Sequence, residues 1–209
     1  KGFNMITLYS GTPGAGKSLH LASRLYHWMQ YRNAPIIANF SCDFSTIKKP
    51  KGQFIYIDNS QLTPERLIWF SKNYEQYIGR RPREGEILLV IDEAQLLFNS
   101  REWVKTDRAE WCAFFTQHRK LGYEVVLVAQ MDRMLDRQIR GLVEYEWIHR
   151  KCSNFGVAGK LLGVLFGGKL FVAVKVWYPM KEKVGSEFFV YRKRFSDIYD
   201  TYALFAIPK

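Results

Sequence analysis

A glycine-rich segment near the start of the chain has the composition and spacing of a phosphate-binding loop. Gly11–Ser18 (GTPGAGKS) matches the pattern GxxxxGK followed by Ser or Thr. Glycines let backbone N–H groups approach phosphate oxygens, and a following helix N-terminus adds the positive end of its dipole. In this motif Lys17 reaches the β- and γ-phosphates and the Ser18 hydroxyl holds Mg²⁺. The predicted contacts to Mg-ATP are Gly11, Thr12, Pro13, Gly14, Ala15, Gly16, Lys17, Ser18 and Leu19.

Two carboxylates end the most hydrophobic run in the chain. Asp92 and Glu93 close Glu86–Glu93 (EILLVIDE), which is typical of a strand buried on both faces of a parallel sheet. Carboxylates at the carboxyl end of such a strand face the ligand crevice. Asp92 suits the Mg²⁺ shell, together with Ser18, and Glu93 suits the general base that hydrolysis needs. A charge pair that merely terminates the strand is the alternative.

Gln130 ends the next buried run, Glu124–Gln130 (EVVLVAQ), and therefore belongs to the same edge of the sheet. An amide there can sense the γ-phosphate or orient the attacking water, and a simple polar strand end is the alternative. Hydrolysis also benefits from a cation near the γ-phosphate. The sequence alone makes no choice among the arginine candidates, which are Arg119, Arg133, Arg137 and Arg140.

The elements that must position these residues alternate between strand and helix. Apolar runs predict strands at Met5–Ser10, Pro35–Asn39, Phe54–Asp58, Glu86–Glu93 and Glu124–Gln130. Helical spacing and capping residues predict helices at Ser18–Arg32, Thr63–Ile78, Arg108–Leu121 and Asp132–Val143. This alternation indicates an α/β fold, with a mainly parallel central sheet flanked by helices, as in P-loop NTPases.

The last third of the chain has a different character. Tyr145–Arg150, Lys169–Tyr178 and Glu187–Arg194 are predicted strands with charged ends, separated by loops rich in Gly, Ser and Lys. We therefore expect a P-loop core over residues 1–143. Residues 144–209 are expected to form an antiparallel β extension of the same domain.

The totals describe a globular domain with a strongly basic surface. The chain has 209 residues, 47% of them hydrophobic, and a net charge of +11. Such a surplus attracts polyanions such as nucleic acid or anionic lipid, although a merely solvated basic surface is the alternative. Three cysteines without CxxC spacing fit a reducing compartment, and no signal peptide is expected. The most apolar stretch, Phe155–Tyr178, contains three lysines, so we expect no membrane-spanning helix within these residues.

Three segments in order, GTPGAGKS, IDEAQ and QHRKLGYEVVLVAQ, resemble the zonular occludens toxin (Zot) family, which includes the assembly ATPases of filamentous phages. The likeness spans most of the chain. It includes Asn39, His118–Arg119, Gln130 and Tyr199–Thr201. The resemblance implies an ATPase at the cytoplasmic face of the bacterial inner membrane that works with phage assembly proteins to extrude the virion. The toxin activity belongs to an external portion and is not implied.

The resemblance also implies an anchor and an assembly. Family members usually continue into a transmembrane helix and an external domain, so the full-length protein is expected to be membrane-anchored. Related motor ATPases form rings, often hexamers, in which a neighbouring subunit supplies an arginine to the γ-phosphate. The resemblance alone assigns this arginine to Arg119.

Three other functions are alternatives for a chain with this phosphate-binding loop. A motor that translocates single-stranded phage DNA fits the charge and the basic, aromatic cluster Tyr191–Phe195, which an edge strand protected by charge explains equally well. A nucleotide-gated assembly scaffold with little turnover has no need of Glu93. A small-molecule kinase needs a mobile lid rich in arginine, whereas the Asp92–Glu93 pair favours water as the acceptor.

Overall fold

The computed structural model describes residues 5–99, 105–154 and 165–199. Its strands are β1 (Ile6–Ser10), β2 (Pro35–Ala38), β3 (Gln53–Tyr56), β4 (Ile87–Ile91), β5 (Tyr123–Val128), β6 (Tyr145–Lys151), β7 (Leu170–Trp177) and β8 (Glu182–Val190). Its α-helices are α1 (Lys17–Tyr31), α2 (Pro64–Ile78), α3 (Lys105–Gln117), α4 (Arg137–Leu142) and one turn at Lys193–Ser196. Short 3-10 helices lie at Ala94–Leu96, Asp132–Met134 and Cys152–Asn154.

Within these residues the strands form one eight-stranded sheet in the order β3-β2-β4-β5-β1-β6-β7-β8. The strands from β3 to β6 in this order pair in parallel. β7 pairs antiparallel with β6, and β8 pairs antiparallel with β7. Every residue of β1, β4 and β5 is buried. Burial on both faces explains why the apolar runs are continuous rather than alternating. The predicted α/β fold with a mainly parallel sheet is confirmed.

Helices cover both faces of the sheet and create two hydrophobic cores. Leu21 and Leu25 of α1 are fully buried on one face. Leu67 of α2 packs with Phe114 and Phe115 of α3 on the other. These positions follow the helical spacing in the sequence, because residues three and four apart lie on one side of a helix. The parallel strands therefore end between covered faces, and their carboxyl edge carries the site.

The predicted start of α2 is confirmed in detail. The Thr63 hydroxyl oxygen accepts a hydrogen bond from the Arg66 backbone N–H at 3.3 Å, and Pro64 is the first helical residue. Such a cap satisfies a backbone donor that would otherwise have no intrahelical partner.

The boundary between parallel and antiparallel strands lies one strand later than predicted. Tyr145–Lys151 pairs parallel with β1, with Thr7 opposite Tyr145, so β6 continues the parallel sheet. The strand itself was predicted, but polar residues hid its parallel direction, because Glu146 and His149 are buried through hydrogen bonds rather than through apolar character. Glu146 accepts a hydrogen bond from the Ser10 hydroxyl at 2.6 Å, and His149 Nδ1 lies 3.0 Å from the Ser10 carbonyl oxygen.

Two further predictions were wrong in extent. The helix expected over Asp132–Val143 is a 3-10 turn followed by α4, because the Asp136 side chain caps a new helix by accepting from the Gln138 N–H at 2.8 Å. The strand expected over Glu187–Arg194 ends at Val190, and the basic, aromatic cluster Tyr191–Phe195 continues into the helical turn that contacts α1. The edge-strand interpretation of that cluster is therefore wrong.

Some predicted features fall outside the described residues. These are residues 155–164 of the apolar stretch, and Asp200 and Thr201 of the last resembling segment. None of the helices described is long and apolar enough to cross a membrane.

Candidate nucleotide-binding site

The loop between β1 and α1 packs closely against the end of β5 and against β6 and β7. The Gly11 N–H donates to the Gln130 carbonyl oxygen at 3.1 Å, which ties the loop to the end of β5. Gly11 and Gly16 have positive φ angles of 143° and 95°. A Cβ on Gly11 would lie 2.6 Å from the His149 carbonyl oxygen, and one on Gly16 would lie 2.8 Å from Phe171 Cδ1. Only glycine fits at both positions, because β6 and β7 approach the loop so closely.

Lys17 begins α1 and folds back across the loop. Its Nζ donates to the carbonyl oxygens of Gly11 and Thr12 at 2.6 and 3.3 Å. Burial lowers the pKa of this ammonium, and the nearby carboxylates of Glu93 and Asp92 oppose that shift. The charged group is thus held inside the loop, where an incoming phosphate would meet it. The structure thus places Lys17 beside the loop carbonyls, and its role toward phosphate stays a prediction.

Asp92 follows β4 and is fixed through its backbone by Asn39, which follows β2. The Asp92 N–H donates to Asn39 Oδ1 at 2.7 Å, and Asn39 Nδ2 donates to the Asp92 carbonyl oxygen at 2.8 Å. Asn39 Nδ2 also donates to Asn59 Oδ1 at 2.9 Å. These bonds join the ends of two neighbouring strands. Asn39 therefore fixes the Asp92 backbone, from which the carboxylate extends. The sequence indicated Asn39 only through the family resemblance.

The Asp92 carboxylate is almost fully buried, with 6% of the residue exposed. One oxygen accepts from the Glu93 N–H at 2.8 Å, and the other accepts from the Tyr199 hydroxyl. Burial raises the pKa of Asp92, while these two donors and Lys17 act in the opposite direction. A carboxylate offers about four acceptor positions. The two donors among the described residues therefore leave two acceptor positions on this carboxylate.

Glu93 stands on a strained turn of backbone. Its φ of 45° is in the left-handed region, which residues other than glycine adopt rarely. The turn ends β4 and starts the 3-10 helix Ala94–Leu96. The side chain is held by a hydrogen bond from Gln95 Nε2. Strained backbone of this kind concentrates at functional sites, where it aims a side chain.

A cavity of about 590 Å³ joins these parts. Its phosphate side is lined by Pro13–Leu19, and Asp92, Glu93 and Gln130 contribute from the strand ends. Its volume is within the range of small-molecule pockets. Gly11 and Thr12 line a neighbouring cavity that Gln130 also borders. The structure thus brings together the predicted loop, metal and base residues at one edge of the sheet.

The residues fit a magnesium ion by their chemistry. Ser18 and Asp92 line the same cavity, and a hydroxyl and a carboxylate supply the hard oxygen ligands that Mg²⁺ prefers.

Among the predicted site residues that the structure describes, Arg119 lies away from this edge of the sheet. It precedes β5, whereas Gln130 follows the same strand. Six residues of strand place it about 20 Å from the cavity. The Arg119 Nε lies 3.7 Å from a Glu84 carboxylate oxygen in an exposed ion pair. Of the other candidates, Arg133 borders the neighbouring cavity with Gln130.

The C-terminal part of the chain also lines the cavity, with side chains that no local sequence motif predicted. Phe171, Tyr191, Ser196 and Tyr199 line the cavity together with the loop. Tyr199 entered the sequence argument only through the family resemblance. Phe171 carried no signal of its own, because a phenylalanine in a strand is most often part of a core.

Comparison with known proteins decides the family. A family model described as zonular occludens toxin (Zot) matches residues 5–198. The chain belongs to this family. The predicted resemblance is confirmed over nearly its whole extent, and by family and fold the chain is a P-loop ATPase domain.

Among the relatives of this Zot-family chain is the Gene 1 protein of Enterobacteria phage I2-2, which is 36% identical over 86 residues. The match covers 40% of this chain and 24% of the relative. The Gene 1 protein of Salmonella phage IKe is also 36% identical, over 89 residues, with the same coverage. The chain thus spans about a quarter of the length of the curated relatives that it matches.

Solved structures confirm the fold. The N-terminal domain of zonular occludens toxin from Neisseria meningitidis matches with a TM-score of 0.60 and 19% identity, covering 95% of this chain and 100% of that one. The genome packaging NTPase B204 from Sulfolobus turreted icosahedral virus 2, in complex with ATP-gammaS, matches with a TM-score of 0.55 and 14% identity, covering 90% and 98%.

Proposed function

We propose that this Zot-family domain binds Mg-ATP and hydrolyses it to drive assembly and extrusion of a filamentous phage at the inner membrane of its bacterial host. One observation carries the chemistry: Lys17, Asp92 and Glu93 surround a single cavity at the carboxyl edge of the sheet. The Gene 1 relatives from phages support the biological setting.

The loop residues perform the binding. Backbone N–H groups of Gly14–Lys17 and the start of α1 contact the phosphates, and Lys17 exchanges its carbonyl partners for phosphate oxygens. Ser18 and Asp92 hold Mg²⁺, which when bound neutralises charge on the phosphates. Since Asp92 is buried and Lys17 is half-buried, their charges act in a medium that screens them less than water does.

Glu93 performs the base role. Its carboxylate accepts a proton from the water that attacks the γ-phosphorus, while the bond to the bridging oxygen of ADP breaks. Gln130, at the end of the adjacent strand, orients that water or detects the γ-phosphate. The strained turn at Glu93 and the bond from Gln95 limit the rotamers of the base, so that little reorganisation is needed before reaction.

A ring of several copies, with a hexamer as the proposed form, completes the site. The basic surface offers a second contact to anionic lipid or nucleic acid. In this proposal the domain works at the cytoplasmic face of the membrane, the rest of the protein anchors it there, and phage assembly proteins receive the work. Arg119 lies at the opposite edge of the sheet from its own cavity, so it serves catalysis only across a subunit boundary.

Phosphate release measures the chemical step. Lys17→Ala should abolish ATP binding, whereas Glu93→Gln should keep binding and lose about 10²- to 10⁴-fold in turnover, the usual contribution of a general base. Glu110→Gln, an exposed neutralisation on α3, is the matched control and should retain full turnover. Equal turnover in Glu93→Gln and wild type would remove the base assignment. A wild-type protein that binds ATP without turnover would favour the nucleotide-gated scaffold.

Direct DNA translocation is the second candidate. The net charge of +11 and the likeness to a genome packaging NTPase favour it. Single-stranded DNA should then stimulate ATP turnover, and its binding should weaken steeply as salt is raised, because phosphate contacts release counterions. Failure to bind DNA even at low salt would exclude this candidate and leave the assembly role.

A further inference from the structure

The segment after β8, Tyr191–Tyr199, borders the nucleotide cavity, and we call it the C-terminal strap. Its helical turn contacts α1. Tyr191, Ser196 and Tyr199 line the same cavity as Pro13–Leu19 of the phosphate-binding loop. The strap therefore reaches from β8, at one margin of the sheet, to Asp92 at the end of β4.

The end of the strap is anchored independently of any polar group on Tyr199. The Asp43 N–H donates to the Ile198 carbonyl oxygen at 2.9 Å, which fixes the backbone. The Tyr199 ring packs against Phe40 with centroids 4.5 Å apart and is 6% exposed. A phenylalanine would make the same ring contact. The hydroxyl is thus free to serve a separate purpose.

That hydroxyl donates to Asp92 Oδ2, while the Glu93 N–H donates to Oδ1. A carboxylate held by one donor on each oxygen cannot rotate freely about its terminal bond. Each oxygen keeps one acceptor position for the shell of a metal ion.

We propose that Tyr199 is a positioning residue, whose hydroxyl orients the Asp92 carboxylate toward the Mg²⁺ of the bound nucleotide. The inference rests on the proposed function, since it assigns Asp92 to that metal. It adds a consequence for the strap. Any movement that withdraws residues 191–199 also releases Asp92, so the C-terminal strap is coupled to the metal end of the site.

Tyr199→Phe removes the hydroxyl and keeps the ring. Binding of a fluorescent, non-hydrolysable ATP analogue is measured with EDTA and across a Mg²⁺ titration. We expect the affinity without metal to stay within about twofold and the Mg²⁺ concentration for half-maximal effect to rise about tenfold, the scale of one hydrogen bond to a charged group. In an Asp92→Asn background the same substitution should change nothing further.

Tyr178→Phe is the matched control, because the Tyr178 hydroxyl donates to an Asp132 carboxylate oxygen at 2.9 Å outside the cavity. It should leave the Mg²⁺ titration unchanged. An unchanged titration in Tyr199→Phe would overturn the proposal, and so would tighter Mg²⁺ binding, which would mean that the hydroxyl competes with the metal. Equal losses with and without Mg²⁺ would show a packing role and overturn it too.

The proposed function fails by different results. Because the analogue is not hydrolysed, absence of turnover in the wild-type protein leaves this measurement intact. Binding that survives Lys17→Ala would instead show that the loop is not the nucleotide site.

Discussion

Gly16 and Gly14 form a pair for measuring how strongly the phosphate-binding loop depends on its contact with β7. Both have positive φ, at 95° and 73°, so alanine costs about 1–2 kcal/mol of backbone strain at each. The gain from a stiffer unfolded chain is also common to both. A Cβ on Gly14 meets no described atom within 4 Å, whereas one on Gly16 would lie 2.8 and 3.0 Å from Phe171 Cδ1 and Cγ.

Phe171 has little room to retreat, because its ring is stacked on Phe189 with centroids 5.6 Å apart. Forcing a methyl group into such packing costs about 1–3 kcal/mol. Gly16→Ala should therefore lower the free energy of unfolding by about 2–5 kcal/mol, the sum of strain and overlap. Gly14→Ala should lower it by about 1–2 kcal/mol, from strain alone.

Urea unfolding of the nucleotide-free protein, followed by circular dichroism, gives both values. Adding Phe171→Leu to Gly16→Ala should recover part of the loss, since the smaller side chain relieves the overlap. Equal losses in the two alanine variants would refute the argument that β7 supports the loop. Full additivity of Gly16→Ala and Phe171→Leu would refute it as well.

The remaining predictions concern buried polar groups behind the loop. Glu124→Ala should lower the free energy of unfolding in urea by about 3–5 kcal/mol, because it leaves the largely buried Arg24 guanidinium without its carboxylate. Glu84→Ala, in an exposed ion pair, is the control and should lower it by about 0–1 kcal/mol. Similar losses in the two variants would contradict this. Burial lowers the pKa of His20 to about 3 and of His149 to about 4, from 6.5 when unfolded. The unfolding free energy should therefore fall from pH 6.5 toward 4, by up to roughly 1.4 kcal/mol per pH unit for each histidine, and His149→Asn should flatten that slope.

Much of the fold was predictable because the relevant signals are local. The strands β4 and β5 stand out as uninterrupted apolar runs, since both of their faces are buried. Thr63 and Pro64 marked the start of α2 through cap chemistry that depends on neighbouring residues alone. The loop and Asp92 followed from a motif with a fixed mechanism.

β6 escaped correct placement because its direction depends on partners far away in sequence. Glu146 and His149 look like surface residues until Ser10 supplies a donor to one and an acceptor to the other. A buried polar group needs such partners, and the sequence does not name them. The sequence of β6 alone therefore does not determine whether it pairs parallel or antiparallel with its neighbour.

The two ends of the site differ in the same way. Its phosphate end consists of consecutive residues, Gly11–Ser18, which a motif in the sequence identifies directly. Its metal end is assembled from Asn39, Asp92 and Tyr199, which lie 53 and 107 positions apart in sequence. Only the folded sheet and the strap bring them together. A substitution in the strap can therefore alter metal binding while every residue of the recognisable motif stays intact, and this separation is what makes Tyr199→Phe a decisive test of the coupling.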